Sequence, residues 1–381
     1  MWRQPAFRAI VFQVLLVLGI LAFGNYLLSN TLYNMEQRGI TTGFGFLDNA
    51  AGFGILQSLI PYDETYSYGR TFLVGLLNTL LVAGLGILFA TLLGFFIGVA
   101  RLSKNWLLAR LATVYIETFR NIPLLLQIMF WYFAVLRPLP RPRQSLSIGD
   151  AVFLNNRGLF LPKPIAEDGF GMVLIALLVA VVAAILLVRW AHRRQEATGE
   201  QFPSGLISVG MILGLPLVVF WLSGSPLHWD YPVLGGFNFS GGLDVIPELA
   251  ALVLALSIYT AAFIAEAVRS GIQSVGHGQT EAAYALGLRP RVTLKLVIIP
   301  QAMRVIIPQL TSQYLNLTKN SSLATAIGYP DLVNVFAGTT LNQTGQAVEV
   351  IAMTMGVYLL ISLVISMFMN WYNKRNQLIE R

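Results

Sequence analysis

Cysteine is absent from this 381-residue sequence, and only three histidines occur, at positions 192, 228 and 277. Disulfides, thiolate metal sites and cysteine nucleophiles are therefore excluded. His192, His228 and His277 are far apart, each beside polar or Gly/Pro-rich sequence, and read as loop residues. Charge is also scarce. Charged residues make up 11% of the chain against 56% hydrophobic, at mean hydropathy +0.67, where a soluble domain carries about a quarter. Eighteen acids and 25 bases cannot coat a water-soluble surface of this size. The same shortage excludes a disordered chain and, despite the net charge of +7, a nucleic-acid binder. A further absence is the G-x-x-x-x-G-K-[ST] phosphate loop, for no Gly-Lys dipeptide exists in the chain.

What is abundant is apolar sequence in long runs. A membrane helix needs about 20 mainly apolar residues, and eight segments come close: 10–29, 71–99, 113–136, 170–190, 205–223, 247–268, 298–317 and 348–371. The composition and these runs predict an all-α, polytopic membrane protein embedded in a lipid bilayer. The first run follows Arg3 and Arg8 like a signal peptide, but Phe23-Gly24-Asn25 offers no small-x-small cleavage site, so it reads as an uncleaved helix. The third run contains Glu117, Arg120 and Pro123, and the seventh contains Pro300 and Pro308. Pro123 and Pro308 are expected to break their helices at membrane depth, which is tolerated where backbone lines a cavity.

With the N-terminus inside, the internal segments hold 16 bases and the external ones 8, Arg120 lying within a span. That bias predicts both termini on the cytoplasmic side. The 137–169 segment runs against it. Arg137, Arg141, Arg143, Arg157 and Lys163 fall outside, in a stretch whose five prolines read as extended and irregular. Residues 1–70 read as an N-terminal span with an external loop, 71–372 as the main membrane domain, and 373–381 as a cytoplasmic tail. Within the main domain, 137–246 reads as an insertion between a front half and a back half.

The most informative stretch is 269–300, an internal loop of small and polar residues. Thr280 is expected to cap a helix beginning at Glu281, whose carboxylate suits the positive end of the helix dipole. Ala282, Ala283, Ala285 and Leu286 continue it, Gly287 stops it, and Pro290 starts a second helix. Arg291 and Lys295 then share one face of that second helix. From the residues alone two readings are open: a docking elbow for another protein, or an amphipathic connector lying on lipid headgroups.

The string Glu281-Ala282-Ala283, then Gly287, then Val297, Ile299 and Pro300 resembles the EAA loop of binding-protein-dependent ABC importers, whose pattern is E-A-A, three residues, G, nine residues, I, one residue, L-P. The spacing matches throughout, with Val297 and Ile299 in place of Ile and Leu. The segment Arg120 to Gln127 resembles the R-x-x-P-L-L-x-Q of polar amino-acid permeases. Ala265 to Ile272 is similar to their A-E-x-x-R-x-G-I, and Lys319 to Leu323 to their K-x-T/S-S-L. Together these cover 71–136 and 247–372. The additional first span and the 137–246 insertion resemble the larger members, which import a broad range of L-amino acids including glutamate, glutamine, aspartate and asparagine.

The resemblance implies a type I ABC importer permease core in a bacterial inner membrane. It implies partners too: a second permease subunit, a pair of ATPase subunits and a periplasmic amino-acid-binding protein that docks on external loops such as 137–169. The chain itself is then a transport permease and no enzyme. It binds no cofactor or metal, and ATP and Mg belong to the separate ATPase. Glu281 and Arg289 are expected to supply polar contacts to that ATPase, with Ala282, Ala283 and Gly287 allowing close approach ahead of Pro300.

Polar residues within spans are functional candidates because burying them is costly. Glu117 and Arg120 are spaced to pair on one helix face. A zwitterionic substrate needs donors for its carboxylate and an acceptor for its ammonium. Gln127, Ser321 and Ser322 can serve the former and Glu266 the latter; helix-to-helix adhesion is the competing role. An ion-coupled secondary transporter is the rival function, and a membrane-embedded enzyme a more distant one. The first predicts inverted repeats and the second a clustered set of catalytic groups, neither of which the sequence contains. A neighbouring gene for a phosphate-loop ATPase would separate importer from secondary transporter.

Overall fold

The computed structural model describes residues 5–37 and 42–375. Arg3, Arg38 and Arg381, counted in the charge bias, lie outside the described residues, as does 376–381 of the expected tail. In chain order the helices before the first strands are α1 (Pro5–Gln37), α2 (Tyr68–Arg101), α3 (Trp106–Asn121) and α4 (Leu124–Met129). Strands β1 (Leu146–Ile148), β2 (Val152–Asn155), β3 (Gly158–Leu161) and β4 (Lys163–Ala166) follow. Next come α5 (Phe170–Thr198) and α6 (Ser204–Leu222), then β5 (Leu227–Asp230), β6 (Val233–Gly235), β7 (Asn238–Ser240) and β8 (Leu243–Val245). The last elements are α7 (Pro247–Gln273), α8 (His277–Ala285), α9 (Pro290–Thr293), α10 (Ile299–Asn320), α11 (Leu341–Thr344) and α12 (Ala347–Arg375). Among the described residues seven helices are long and apolar enough to cross a membrane, or eight when the bent pair α3–α4 is counted as one span.

The chain divides into two units, Met1–Ala134 with Glu248–Arg381, and Val135–Pro247. In the first unit α7 is the central helix, with most of its apolar window buried. It packs on α2 through a seam of small residues. A side chain at Gly94 would come within 2.6 Å of Ile264, and one at Gly98 within 2.7 Å of the Ala265 carbonyl. In lipid no hydrophobic force drives two helices together, so close backbone approach of this kind supplies the attraction. Gly86, on the same stripe as Ala90, Gly94 and Gly98, lies against Leu317 of α10. Residues 42–67 fold onto this unit. Phe46 is buried among Tyr68, Leu332, Phe336 and Val350, and the backbone N–H of Gly43 donates to Glu349 Oε1 at 2.6 Å.

The third expected span is not a continuous helix. It breaks at Pro123, where α3 and α4 meet at 105°. Pro123 lacks the N–H that would continue the ladder and restricts Ile122 to extended backbone, φ −94° and ψ 127°. Pro308, expected to act alike, does not break its helix. It sits inside α10, which runs without interruption from Ile299 to Asn320. Pro308 is exposed, and membrane helices tolerate an internal proline of this kind.

In the second unit α5 buries Val173, Ala176, Ala180, Ala184 and Ala191, an alanine stripe along the side that packs on α6. The proline-rich stretch expected to be irregular instead forms strands. β1, β2, β3 and β8 make a four-stranded antiparallel sheet, and β4–β5 and β6–β7 make two ribbons. Phe160, 2% exposed, meets the Phe239 ring with centroids 4.9 Å apart, and Phe153 stacks on the same ring at 4.5 Å. The prolines fall at strand edges and turns, where a missing N–H is harmless. The histidines are likewise not loop residues: His192 lies in α5, His228 in β5, and His277 opens α8.

Candidate functional site

The 269–300 stretch forms a sharply bent elbow. α7 ends against α10, with Gly271 pressed onto Ile306 and the Ala302 carbonyl. After Gly276 the short helix α8 begins at His277 rather than at Glu281. Thr280 is thus an interior residue, and Gly276 occupies the cap with extended backbone. The helix ends as its sequence predicts. Gly287 adopts φ +76°; its N–H donates to the Tyr284 carbonyl at 2.9 Å, and the Leu288 N–H donates to the Ala283 carbonyl at 3.1 Å. This double closure satisfies the last carbonyls of α8 and needs a residue that tolerates a left-handed conformation. Arg289 then caps α9, with Pro290 at its first position, and a π-helical turn over 294–298 leads into α10 with Pro300 near its start.

The elbow presents a distinct surface. Glu281, Ala282, Gly287, Arg289, Arg291 and Lys295 are exposed. Ala283, expected at the docking face, is turned inward and only 3% exposed, on a helix that packs against α9 and the 294–298 turn. Two residues to which the sequence reading gave no docking role stand out instead: Leu286 is 81% exposed and Tyr284 50%. A large apolar residue directly before the hinge glycine is the signal that could have found them.

A cluster of charge lies at the ends of α2 and α7. Arg101 Nη1 donates to Glu266 Oε2 at 2.6 Å, and Arg269 donates to both Glu266 oxygens, through Nη2 at 2.5 Å and Nε at 3.0 Å. Glu266 is therefore neutralised twice and, in this conformation, is not free to receive an ammonium group. Glu117 does not pair with Arg120 as its spacing led us to expect. Its closest guanidinium is Arg101 at 3.9 Å, while Arg120 lies over the Phe263 ring at 5.2 Å. The cause is tertiary: α2 and α7 bring stronger partners to the same end of the bundle.

Gln127 is 4% exposed and spans the break at Pro123. Its Nε2 donates to the carbonyls of Phe119 at 3.0 Å and Ile122 at 2.9 Å, so its donors serve backbone that the proline left unpaired. Its Oε1 is buried with no partner among the described residues. α4 packs against residues 321–327, which places Gln127 and Ser321 on neighbouring elements. Ser321 is buried and donates to the Thr318 carbonyl at 2.7 Å, and Ser322 donates to Lys319 at 2.8 Å. Glu266 is not brought to this group.

Asp331, which the sequence did not single out, is fully buried in the connection between the spans that end at 327 and begin at 347. Burial pushes its carboxyl up to about 7, opposed chiefly by the backbone N–H groups of Asn334 and Val333. The Asn334 bond measures 2.8 Å. Among the described residues no group of three or more His, Asp or Glu is placed to hold a metal ion.

Seven or eight apolar spans among the described residues, a broken membrane helix, and an exposed elbow between two spans define an integral membrane protein. The chain belongs to the family described as the inner membrane component of binding-protein-dependent transport systems, whose pattern matches residues 86–377. It is 60% identical over 380 residues to YhdX of Escherichia coli strain K12, covering 100% of this chain and 97% of that one. AapQ of Rhizobium johnstonii, a general L-amino acid transport system permease protein, is 54% identical, with 99% and 94% covered. BztB of Rhodobacter capsulatus, a glutamate/glutamine/aspartate/asparagine transport system permease protein, is 46% identical, with 98% and 95% covered. The chain is thus a membrane permease subunit of type I ABC importer fold, and ATP hydrolysis belongs to a separate subunit.

Proposed function

We propose that this chain is one half of the pore of an ATP-driven importer that carries L-amino acids across the bacterial inner membrane. The observation that supports this most strongly is the elbow. An exposed short helix bearing Glu281, Ala282 and Leu286 ends in a hinge at Gly287, at the spacing of the EAA loop. Exposed Leu and Tyr beside charged residues make a surface suited to a groove in another protein. The occupant of this reading is a separate ATPase that holds ATP and Mg; its closure moves α8 and, through α10, the pore between inward- and outward-open states. A second permease subunit completes the pore, a periplasmic binding protein delivers the substrate, and both termini are cytoplasmic. Residues 137–246 are an insertion into the 71–372 permease domain, behind an N-terminal span and loop at 1–70 and ahead of a tail at 373–381.

The names of the relatives favour a broad substrate range that includes acidic amino acids and their amides. In this reading Gln127, Ser321 and Ser322, on packed neighbouring elements, belong to the substrate pathway. Glu266 takes the substrate ammonium only after its arginine cluster opens. The test is uptake of labelled glutamate by cells with and without the gene, competed by unlabelled amino acids, together with copurification of the ATPase. Leu286→Asp is expected to abolish both uptake and copurification while the protein still reaches the membrane. Uptake that persists without any ATPase, driven by an ion gradient, overturns the proposal.

A further inference from the structure

A cavity that none of the preceding roles uses lies at the end of the first unit that carries the elbow. The C-terminal part of α2, the start of α3, the end of α7 and the start of α10 enclose about 840 Å³. The lining is apolar: Phe96, Val99, Leu108, Ile272, Leu294 and Met303 contribute to it, and Ser103 is its one polar residue. Val268, Ala302 and Ile306 form a buried floor, while the Phe96 wall is 74% exposed. Gly271 lets α7 and α10 touch at Ala302, and the small Ala100 and Ala302 side chains leave the space beside that contact unfilled.

Positive charge stands beside this apolar space. Lys104 follows Ser103 in the chain and Lys295 follows Leu294, so each base is next to a lining residue. Both lysines are exposed, and their flexible stems carry an ammonium group along apolar surface to its edge. Arg291 is exposed on the same helix face as Lys295. None of the three forms an ion pair among the described residues. No acid lines the cavity, and Glu266, the carboxylate at this end of α7, is already held by Arg101 and Arg269. The charge left uncompensated here is therefore positive.

An apolar cavity edged by bases matches an amphiphile with a negative head. A small soluble anion gains nothing from the apolar walls, and a purely apolar partner gains nothing from the lysines. A phospholipid uses both: its methylene groups fill the cavity and its phosphate meets the bases, as anionic headgroups do in basic pockets between membrane helices. With the elbow on the cytoplasmic side, the cavity opens at the leaflet where such headgroups and the chain's bases face each other.

We propose that this cavity binds one anionic phospholipid of the cytoplasmic leaflet, an acyl chain lying between α2 and α10 and the phosphate held by Lys104 and Lys295. Because Leu294 and Met303 belong to the path from elbow to pore, the lipid braces the start of α10. The inference takes only the side of the elbow from the importer reading, and neither the ATPase nor the substrate enters it. The test is native mass spectrometry of the full-length chain, alone and with the subunits that copurify, titrated with dioleoyl phosphatidylglycerol or dioleoyl phosphatidylcholine. One phosphatidylglycerol is expected to bind about tenfold or more tighter than phosphatidylcholine, since each base near a headgroup contributes a factor of about five. Lys104→Gln combined with Lys295→Gln is expected to erase that preference while both lipids still bind. Val99→Trp, which fills the cavity from an exposed position, is expected to remove binding of both. Equal affinity of the wild type for the two lipids overturns the inference, as does wild-type behaviour in either variant. Competition by soluble glycerol phosphate as strong as that by the lipid overturns it too, leaving an anion site only. A lipid held by the chain alone but shed on assembly overturns it in a third way, assigning the cavity to a contact between subunits. A chain that binds the lipid as expected yet imports no amino acid overturns the importer reading alone.

Discussion

Arg101, the last residue of α2, meets Glu266 of α7 at 2.6 Å, 165 positions away in the chain. Arg269 holds the same carboxylate from one turn along α7. This pair fastens one end of the seam whose tight packing at Gly94 and Gly98 joins the two helices, so charge and shape act on one joint.

Loss of the acid is expected to be worse than loss of either base. Glu266→Gln leaves Arg101 and Arg269 facing each other with only the more distant Glu117, 3.9 Å from Arg101, as a counter-charge, whereas Arg101→Gln leaves Glu266 its Arg269 bonds. Side chains 20–27% exposed place the pair between surface and buried values, so about 2 kcal/mol is expected for Glu266→Gln and about 1 for Arg101→Gln. Chemical denaturation in detergent measures the order; an equal loss in both variants would show that Arg269 alone does not hold Glu266, and no loss in either that the pair does not bear on stability.

The α2–α7 seam predicts a sharp contrast among glycines on one helix. Gly94→Val and Gly98→Val put a side chain onto Ile264 and the Ala265 carbonyl and are expected to prevent accumulation in the membrane. Gly84→Ala meets nothing within 4 Å and is expected to express like wild type. Immunoblots of membrane fractions decide this.

At the elbow, Gly287→Val forces a β-branched residue to φ +76°, which costs about 1–2 kcal/mol for an L-residue and opposes the closure of α8. Gly287→Asn, whose side chain tolerates that region, is expected to keep most activity. Substrate-stimulated ATP hydrolysis by the assembled transporter distinguishes them, and equal loss in both variants would place the requirement elsewhere than in the backbone.

The buried Asp331 predicts a pH dependence with a definite sign. Its folded-state value of about 7 lies above the model-compound value of 3.8, so between these limits the folded form keeps a proton that the unfolded form releases. Stability is expected to fall as pH rises from about 4 to 7 and to level off above. Asp331→Asn is expected to flatten that slope, and melting temperatures in detergent across pH 4 to 8 test it.

The bilayer reading, the number of spans and the hinge at Gly287 were legible in the residues because each follows from local rules. Runs of about 20 apolar residues must become helices in lipid, where no water satisfies the backbone. Gly287 before Arg289-Pro290 announces a helix end and a new start in any context. The break at Pro123 was legible too, but Pro308 was not separable from it, since neighbouring helices decide whether a proline kinks or is absorbed. The Glu117–Arg120 spacing misled for a similar reason: a three-residue interval states which pairs can meet on one helix, not which are outbid by Arg101 from another.

Sequence by itself determined that this chain lives in a membrane, which segments cross it, and that an EAA-type elbow lies between two of them. Only tertiary structure decided that Glu266 is locked by two arginines, that Gln127 serves the backbone of a broken helix, that Ala283 turns inward while Leu286 turns out, and that prolines of the 137–169 segment edge a small sheet. The reason is physical range. Apolar runs and glycine or proline conformations act over a few residues, whereas partner choice among polar groups depends on elements that the fold brings together from opposite ends of the chain.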